Sequence, residues 1–297
     1  MEITFKFLWL RNALRLRRSF SVGARHFNKK KFKHIGHIEH IASFYPMFSM
    51  CLINHPGGKT MKWIFLTLFT VCGITATCQV APAPSLIYLI RQPKIKSEKP
   101  PLLILIRGFA ANEFDLFSFA EQLPDKFLVI SVRAPNTVEE GRYSWYRIDT
   151  ASGMSIISGG AEKKSREVVI QFIEDIKQQF KIDDQQIFLC GFSQGAGMAF
   201  SVGLTRPDLV YGIGVISGRL LDQIKPDIAT ADKLQSLHIF ISHGVADDRV
   251  KIQEGRNSKS YLESIGLVPV YKEYPEGHTI SKKMIGDLSK WLNKTLN

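Results

Sequence analysis

Two hydrophobic periods organise the chain beyond residue 85. Short runs over 86–90, 102–106, 127–132, 187–190, 213–216 and 238–241 are almost wholly apolar, rich in Leu, Ile, Val and Phe, and bounded by turn-forming or charged residues. Runs this short, without polar alternation, predict strands buried on both faces, as in a parallel sheet. The segment 268–274 alternates instead and predicts an edge strand. Between these runs the period lengthens. Over 161–180, Val168, Val169, Phe172, Ile173, Ile176 and Phe180 share one face while Lys163, Lys164, Glu167, Glu174 and Lys177 fall elsewhere, which predicts an amphipathic helix. Helices are also expected over 114–123, 196–204, 253–265 and 282–292. Strands alternating with helices imply an α/β fold, a mostly parallel central sheet with helices on both faces. The stretch 136–160 shows no helical pattern, carries Tyr143, Trp145 and Tyr146, and is long enough that a functional role is expected.

Composition changes this picture mainly before residue 80. The 297 residues are 45% hydrophobic, enough for a substantial core, and the formal net charge of +12 first suggests a polyanion partner. Residues 1–60, however, hold 11 Lys and Arg against only Glu2 and Glu39, a net of +9, so the remainder carries only +3. A basic footprint is missing from the body of the protein, and no nucleic-acid partner is expected. Five of the eight histidines also lie in 1–60, without the carboxylates and cysteines that would complete a metal site, so no metal is expected. An Arg-rich, acid-poor start also resembles a transit peptide, the weaker alternative.

Met61-Lys62 opens a different segment: 63–74 has no charge and is followed by Thr75-Ala76-Thr77-Cys78-Gln79. A positive start, a short apolar stretch and small residues at the end are the parts of a secretory signal peptide, and twelve residues are too few to span a bilayer comfortably. A core helix is the plainer alternative. Cleavage is expected after Cys78, which predicts a periplasmic or secreted protein; an uncleaved segment predicts a membrane anchor, and a cytoplasmic location is disfavoured. Met61 is then the expected start, residues 1–60 an upstream artefact or an unusual, disordered extension, and 79–297 the folded domain. Cys51, Cys72, Cys78 and Cys190 have no metal-ligand spacing, and Cys190, inside a predicted strand, is expected to act as a small buried hydrophobe.

The candidate chemistry centres on Gly191-Phe192-Ser193-Gln194-Gly195, which follows the run 187–190 and leads into the small and apolar residues 196–204. Gly-x-Ser-x-Gly arises by chance about 0.1 times in a chain of this length, so the pentapeptide gains its weight from the strand before it and the helix after it. A serine on such a turn is expected to project its hydroxyl out of the sheet as a nucleophile. It needs a base, and the base needs an acid to fix its tautomer. The order Ser, acid, His leaves His278, in the loop after the last strand, as the base that fits best, since His238 and His243 have no upstream acid at a strand end. The acid should leave the end of the strand beginning at His238, where Asp247 and Asp248 are adjacent. Both cannot face one imidazole; Asp247 is favoured, with Asp248 solvated or paired with Arg249. The backbone N–H groups of Gln194 and Phe109 are the expected oxyanion donors. Phe109, Trp145 and Tyr146 are expected to line an apolar substrate pocket.

Taken together, 108–116, Arg133-Ala134-Pro135, Trp145-Tyr146, 191–197, Ile216-Ser217-Gly218, 243–250 and Gly277-His278 resemble the phospholipase/carboxylesterase family, which includes acyl-protein thioesterases and lysophospholipases. The resemblance spans about 86–297. It implies an α/β-hydrolase fold without a large cap domain, acting on small ester or thioester substrates, lipid-like ones included, with Ser193, Asp247 and His278 at the triad positions and no cofactor. The chain departs from the family pattern at Arg107, where the family usually has His before the Gly. An arginine there can brace the oxyanion loop or extend its charge into the cleft toward acidic esters. A serine peptidase of the same fold, a non-catalytic binding protein on the scaffold, and a membrane-associated adaptor using 1–60 are the alternatives.

Overall fold

The computed structural model describes residues 84–149, 156–157 and 160–296. The extension 1–60, the signal-like segment 61–78 and the cleavage point after Cys78 lie outside the described residues, which all belong to one compact unit, Ile74–Asn297.

The apolar runs become the strands of one seven-stranded sheet. In chain order these are β1 (Tyr88–Arg91), β2 (Leu102–Ile106) and β3 (Leu128–Val132). Two small hairpins follow, β4 (Asn136–Glu139) with β5 (Arg142–Ser144) and β6 (Ile148–Asp149) with β7 (Ile156–Ile157). Then come β8 (Ile187–Phe192), β9 (Gly212–Ile216), β10 (His238–Gly244) and β11 (Val270–Tyr274). The large sheet has the order β1-β3-β2-β8-β9-β10-β11, with β1 antiparallel and every other pairing parallel. The helices are α1 (Glu113–Phe117), α2 (Ala161–Gln179), α3 (Gln194–Thr205), α4 (Ala231–Leu234), α5 (Ile252–Ser264) and α6 (Lys282–Thr295).

Uninterrupted apolar strands are required because each central strand feeds two cores. Side chains alternate across a strand. Leu102, Ile104, Ile106, Ile187 and Leu189 enter a core with Phe172 and Ile176 of α2 and Phe200 of α3. Leu103, Leu105, Phe188, Cys190 and Phe192 enter the opposite core, with Leu116 of α1 and Met284, Leu288 and Trp291 of α6. Phe188 makes edge-on contacts with Phe127, Tyr211 and Trp291 at ring separations of 5.5, 5.5 and 5.8 Å. Each such pair contributes about 1 kcal/mol beyond burial.

One expectation needs correction. The predicted helix over 114–123 is broken: α1 ends at Phe117, and a 3₁₀ turn covers Ala120–Gln122. Ser118 Oγ donates to the Asp115 carbonyl at 2.7 Å, a local bond that competes with helix propagation, while Leu116, Ala120 and Leu123 still reach the core. The described part of the long loop 136–160 holds two strand pairs, β4 with β5 and β6 with β7. Their exposed side chains in β4 gave no alternation from which to expect them.

Candidate active site

The parallel strands deliver their C-terminal ends to one edge of the sheet, where ligand sites of open α/β sheets form. There β2 runs into Arg107-Gly108-Phe109, β8 into Ser193, β10 into Asp247, and the segment after β11 carries His278.

Ser193 has φ 55° and ψ −117°, a conformation that costs a non-glycine residue about 1–3 kcal/mol. The close approach of strand and helix makes it possible. A Cβ on Gly191 would lie 2.1 Å from the Gly195 carbonyl oxygen, and one on Gly195 would lie 1.9 Å from that of Ile106. Glycine at both positions lets β2, β8 and α3 close around the turn, with the Ser193 N–H donating to Ile216 O at 2.9 Å.

The hydroxyl, imidazole and carboxylate meet in line. Ser193 Oγ is 3.0 Å from His278 Nε2, and His278 Nδ1 is 2.8 Å from Asp247 Oδ2. The other Asp247 oxygen accepts the backbone N–H groups of Arg249 and Val250 at 3.0 and 2.8 Å, which aims the buried carboxylate at the histidine. Asp248 is exposed. Buried His243 approaches the same carboxylate at 3.5 Å, with its Nε2 held by Val250 O at 2.7 Å. Behind His278, the Phe192 ring packs at 4.9 Å. Successive residues of one strand end thus provide the Ser193 hydroxyl and the floor under the histidine that meets it.

The two backbone N–H groups expected as oxyanion donors also lie beside Ser193. Gln194 opens α3, so its N–H has no partner inside the helix. Gly108 presses the β2 loop against Ser193: a Cβ there would lie 3.1 Å from Ser193 Cβ and 3.6 Å from Oγ. Next to it, the Phe109 N–H meets no acceptor among the described residues. The capping box at Asn112 and Asp115 and the Arg133–Glu113 pair at 2.5 and 2.8 Å fix the far side of this loop. Hydrogen bonding to Arg133 holds the Glu113 carboxyl below the usual carboxylate range.

Trp145 requires a correction. Phe109 and Tyr146 line the cleft beside Ser193, but Trp145 is fully buried and does not reach it. Its indole Nε1–H donates to Arg107 O at 2.7 Å and its backbone N–H to Gln194 Oε1 at 2.9 Å. A buried indole needs an acceptor, and the end of β2 supplies one. The Gln194 side chain, which the sequence did not single out, completes the brace by donating to Tyr146 O at 2.7 Å. Gln194→Ala should lower stability by about 1–3 kcal/mol by stranding these buried groups. In a domain of this size thermal denaturation should record a fall of roughly 2–4 °C per kcal/mol.

Arg107 does not line the cleft. Its guanidinium carbon sits 5.0 Å from the Phe192 ring centre and its Nε 3.7 Å from Asp115, and burial lowers its pKa below that of a free guanidinium. It therefore stacks behind the ring that supports His278. Arg107→Ala should lower kcat by similar factors for neutral and anionic esters, checked with matched p-nitrophenyl substrates. Selective loss of the anionic ones would contradict that placement. Cys190 faces the second core, where burial pushes its thiol up to about 12 and keeps it protonated.

The cleft has a volume of about 230 Å³. Beyond Phe109 and Tyr146 its wall includes Ile148, Leu221 and Val250 together with the charged residues Arg219, Arg249, Lys251 and Glu254. Residues from β6, two loops and the start of α5 come together here, and no sequence spacing signals them.

Comparison with known proteins gives this geometry a context. The family described as Phospholipase/Carboxylesterase matches residues 92–296. A protein from Oryza sativa subsp. japonica named "Probable carboxylesterase" is 32% identical over 116 residues, 39% of this chain and 44% of the relative. Acyl-protein thioesterase 1 from Aspergillus fumigatus is 32% identical over 127 residues, 41% of this chain and 53% of the relative. The chain thus spans about half the length of these curated relatives. The Bacillus cereus carboxylesterase structure superimposes with a TM-score of 0.62 at 23% identity, covering 71% of this chain and 94% of that one, a likeness of fold.

Proposed function

The chain belongs to the phospholipase/carboxylesterase family, and from that premise we propose that it hydrolyses carboxylic esters or thioesters through an acyl-serine intermediate. The Ser193–His278–Asp247 relay, at 3.0 and 2.8 Å, carries this reading. His278 Nε2 accepts the serine proton as Oγ attacks the carbonyl carbon, and Asp247 keeps the other ring nitrogen protonated and stabilises the imidazolium. Charge gathering on the former carbonyl oxygen falls to the N–H groups of Gln194 and Phe109. Collapse of the tetrahedral adduct expels the alcohol or thiol, which takes its proton from His278. Water then gives a proton to the same nitrogen as its oxygen attacks the acyl carbon, and the second adduct collapses by breaking the bond to Ser193 Oγ, which takes that proton back as the acid leaves.

A cleft of about 230 Å³ is smaller than those that bury drug-sized ligands, about 300–1,000 Å³, and suits compact acyl groups. A fluorophosphonate probe should label Ser193, and p-nitrophenyl esters should turn over fastest at short acyl length. Absence of both labelling and turnover with every ester would overturn the proposal in favour of a binding role.

The segment 61–78 supports export as the accompanying proposal. Expression from Met61 should give a mature protein beginning at Gln79 outside the cytoplasm, read by N-terminal sequencing. Intact cytoplasmic protein retaining 63–74 would exclude it.

A further inference from the structure

The wall of the catalytic cleft is electrically lopsided. Three cations, Arg219, Arg249 and Lys251, share it with one carboxylate, Glu254. Glu254 lies 3.8 Å from Arg219, and among the described residues neither Arg249 nor Lys251 forms a salt bridge with an acid. The adjoining cavity, of about 360 Å³, shares Arg219, Leu221 and Glu254 with the cleft, and its further ionic pair, Lys225 with Asp222 at 2.7 Å, is internally balanced. The uncompensated charge is thus confined to the side next to Ser193.

Arg219 has Glu254 as its one ionic partner, while the Arg249 and Lys251 side chains have none among the described residues. Arg249 holds Asp247 through its backbone N–H, which any residue but proline could provide, and its side chain is exposed. Lys251 is also exposed, one residue before α5. Arg219 stands on a loop pinned by the Leu220 N–H to Ser258 Oγ bond of 2.9 Å, so its guanidinium starts from a fixed backbone. Neighbouring cations in a concave site repel one another and raise its potential toward anions. Guanidinium groups also match the oxygens of carboxylates and phosphates.

We infer that the ester this site takes carries an anionic group, a carboxylate or a phosphate, received by Arg219, Arg249 and Lys251. The inference rests on the hydrolase reading and narrows its substrate class. It also separates two roles of charge at the site: Arg107 supports His278 from behind Phe192, and the other three cations face the substrate.

The test uses two matched pairs: p-nitrophenyl hemiglutarate against p-nitrophenyl valerate, and 1-butyrylglycerol 3-phosphate against 1-butyrylglycerol. At low salt, kcat/KM for the charged member of at least one pair should exceed that of its neutral partner about tenfold or more. The advantage should shrink at high salt. It should fall toward unity in the Arg249→Gln, Lys251→Gln double variant. The responding pair identifies a carboxylate or a phosphate. Ser193-dependent turnover with no charged advantage in either pair, or an advantage that survives the double substitution, overturns this inference and leaves the hydrolase reading standing. Failure to turn over all four substrates overturns both.

Discussion

Ser193→Ala should lower kcat for every ester by about 10⁶-fold, and labelling by a fluorophosphonate should disappear. The size follows from the covalent step. Without Oγ, His278 has no hydroxyl to deprotonate at 3.0 Å, and only transition-state binding at the Gln194 and Phe109 N–H groups remains. The fold should survive, because alanine removes one oxygen at a partly exposed position and leaves the Ser193 N–H to Ile216 O bond in place. Unchanged circular dichroism, with activity cut to the small residue that transition-state binding alone provides, is the expected pair of results. Undiminished esterase activity would show that the nucleophile lies elsewhere.

Asp247→Asn should cost about 10,000-fold in kcat, the next largest effect. The amide cannot stabilise an imidazolium. If its oxygen keeps the Arg249 and Val250 N–H bonds, its NH₂ faces His278 Nδ1 and imposes the tautomer whose Nε2 carries the proton. That nitrogen then cannot accept from Ser193. Asp248→Asn alters only an exposed side chain and should change kcat less than about threefold. The two variants, assayed side by side on one p-nitrophenyl ester, decide the assignment, and the reverse ranking would make Asp248 the acid.

The contrast between these neighbours shows where sequence stops being informative. Runs such as 102–106 and 187–190 were legible as strands because burial on both faces leaves no room for polar residues. Ser193 and His278 were legible because a sharp turn and a fixed chain order restrict the candidates. Choosing Asp247 over Asp248 depended on loop dihedrals, which neither residue type encodes. Trp145 and Tyr146 looked equivalent as loop aromatics. Only the fold shows that one is a buried brace and the other a wall. The Gln194 amide was harder still, because its partners lie 48 and 49 residues away on the chain. The cations of the cleft come from two loops and had no spacing to betray them.

The placement of β11 at the sheet edge bears on how the protein would fail. β11 pairs with β10 alone, most of its side chains are at least partly exposed, and the loop after it carries His278. Tyr274 and Lys272 tie it to Asp287 of α6 at 2.9 and 3.1 Å, and Arg256 of α5 pairs with its Glu273 at 2.8 Å, side-chain bonds in the place of a second strand. Such edges open with smaller free energies than the centre of a domain, and their amides exchange first. Release of this one strand would withdraw the imidazole while the paired strands from β1 to β10 keep their core. Catalytic competence should therefore be lost on warming before the architecture that carries it, with esterase activity falling at a lower temperature than the circular dichroism signal.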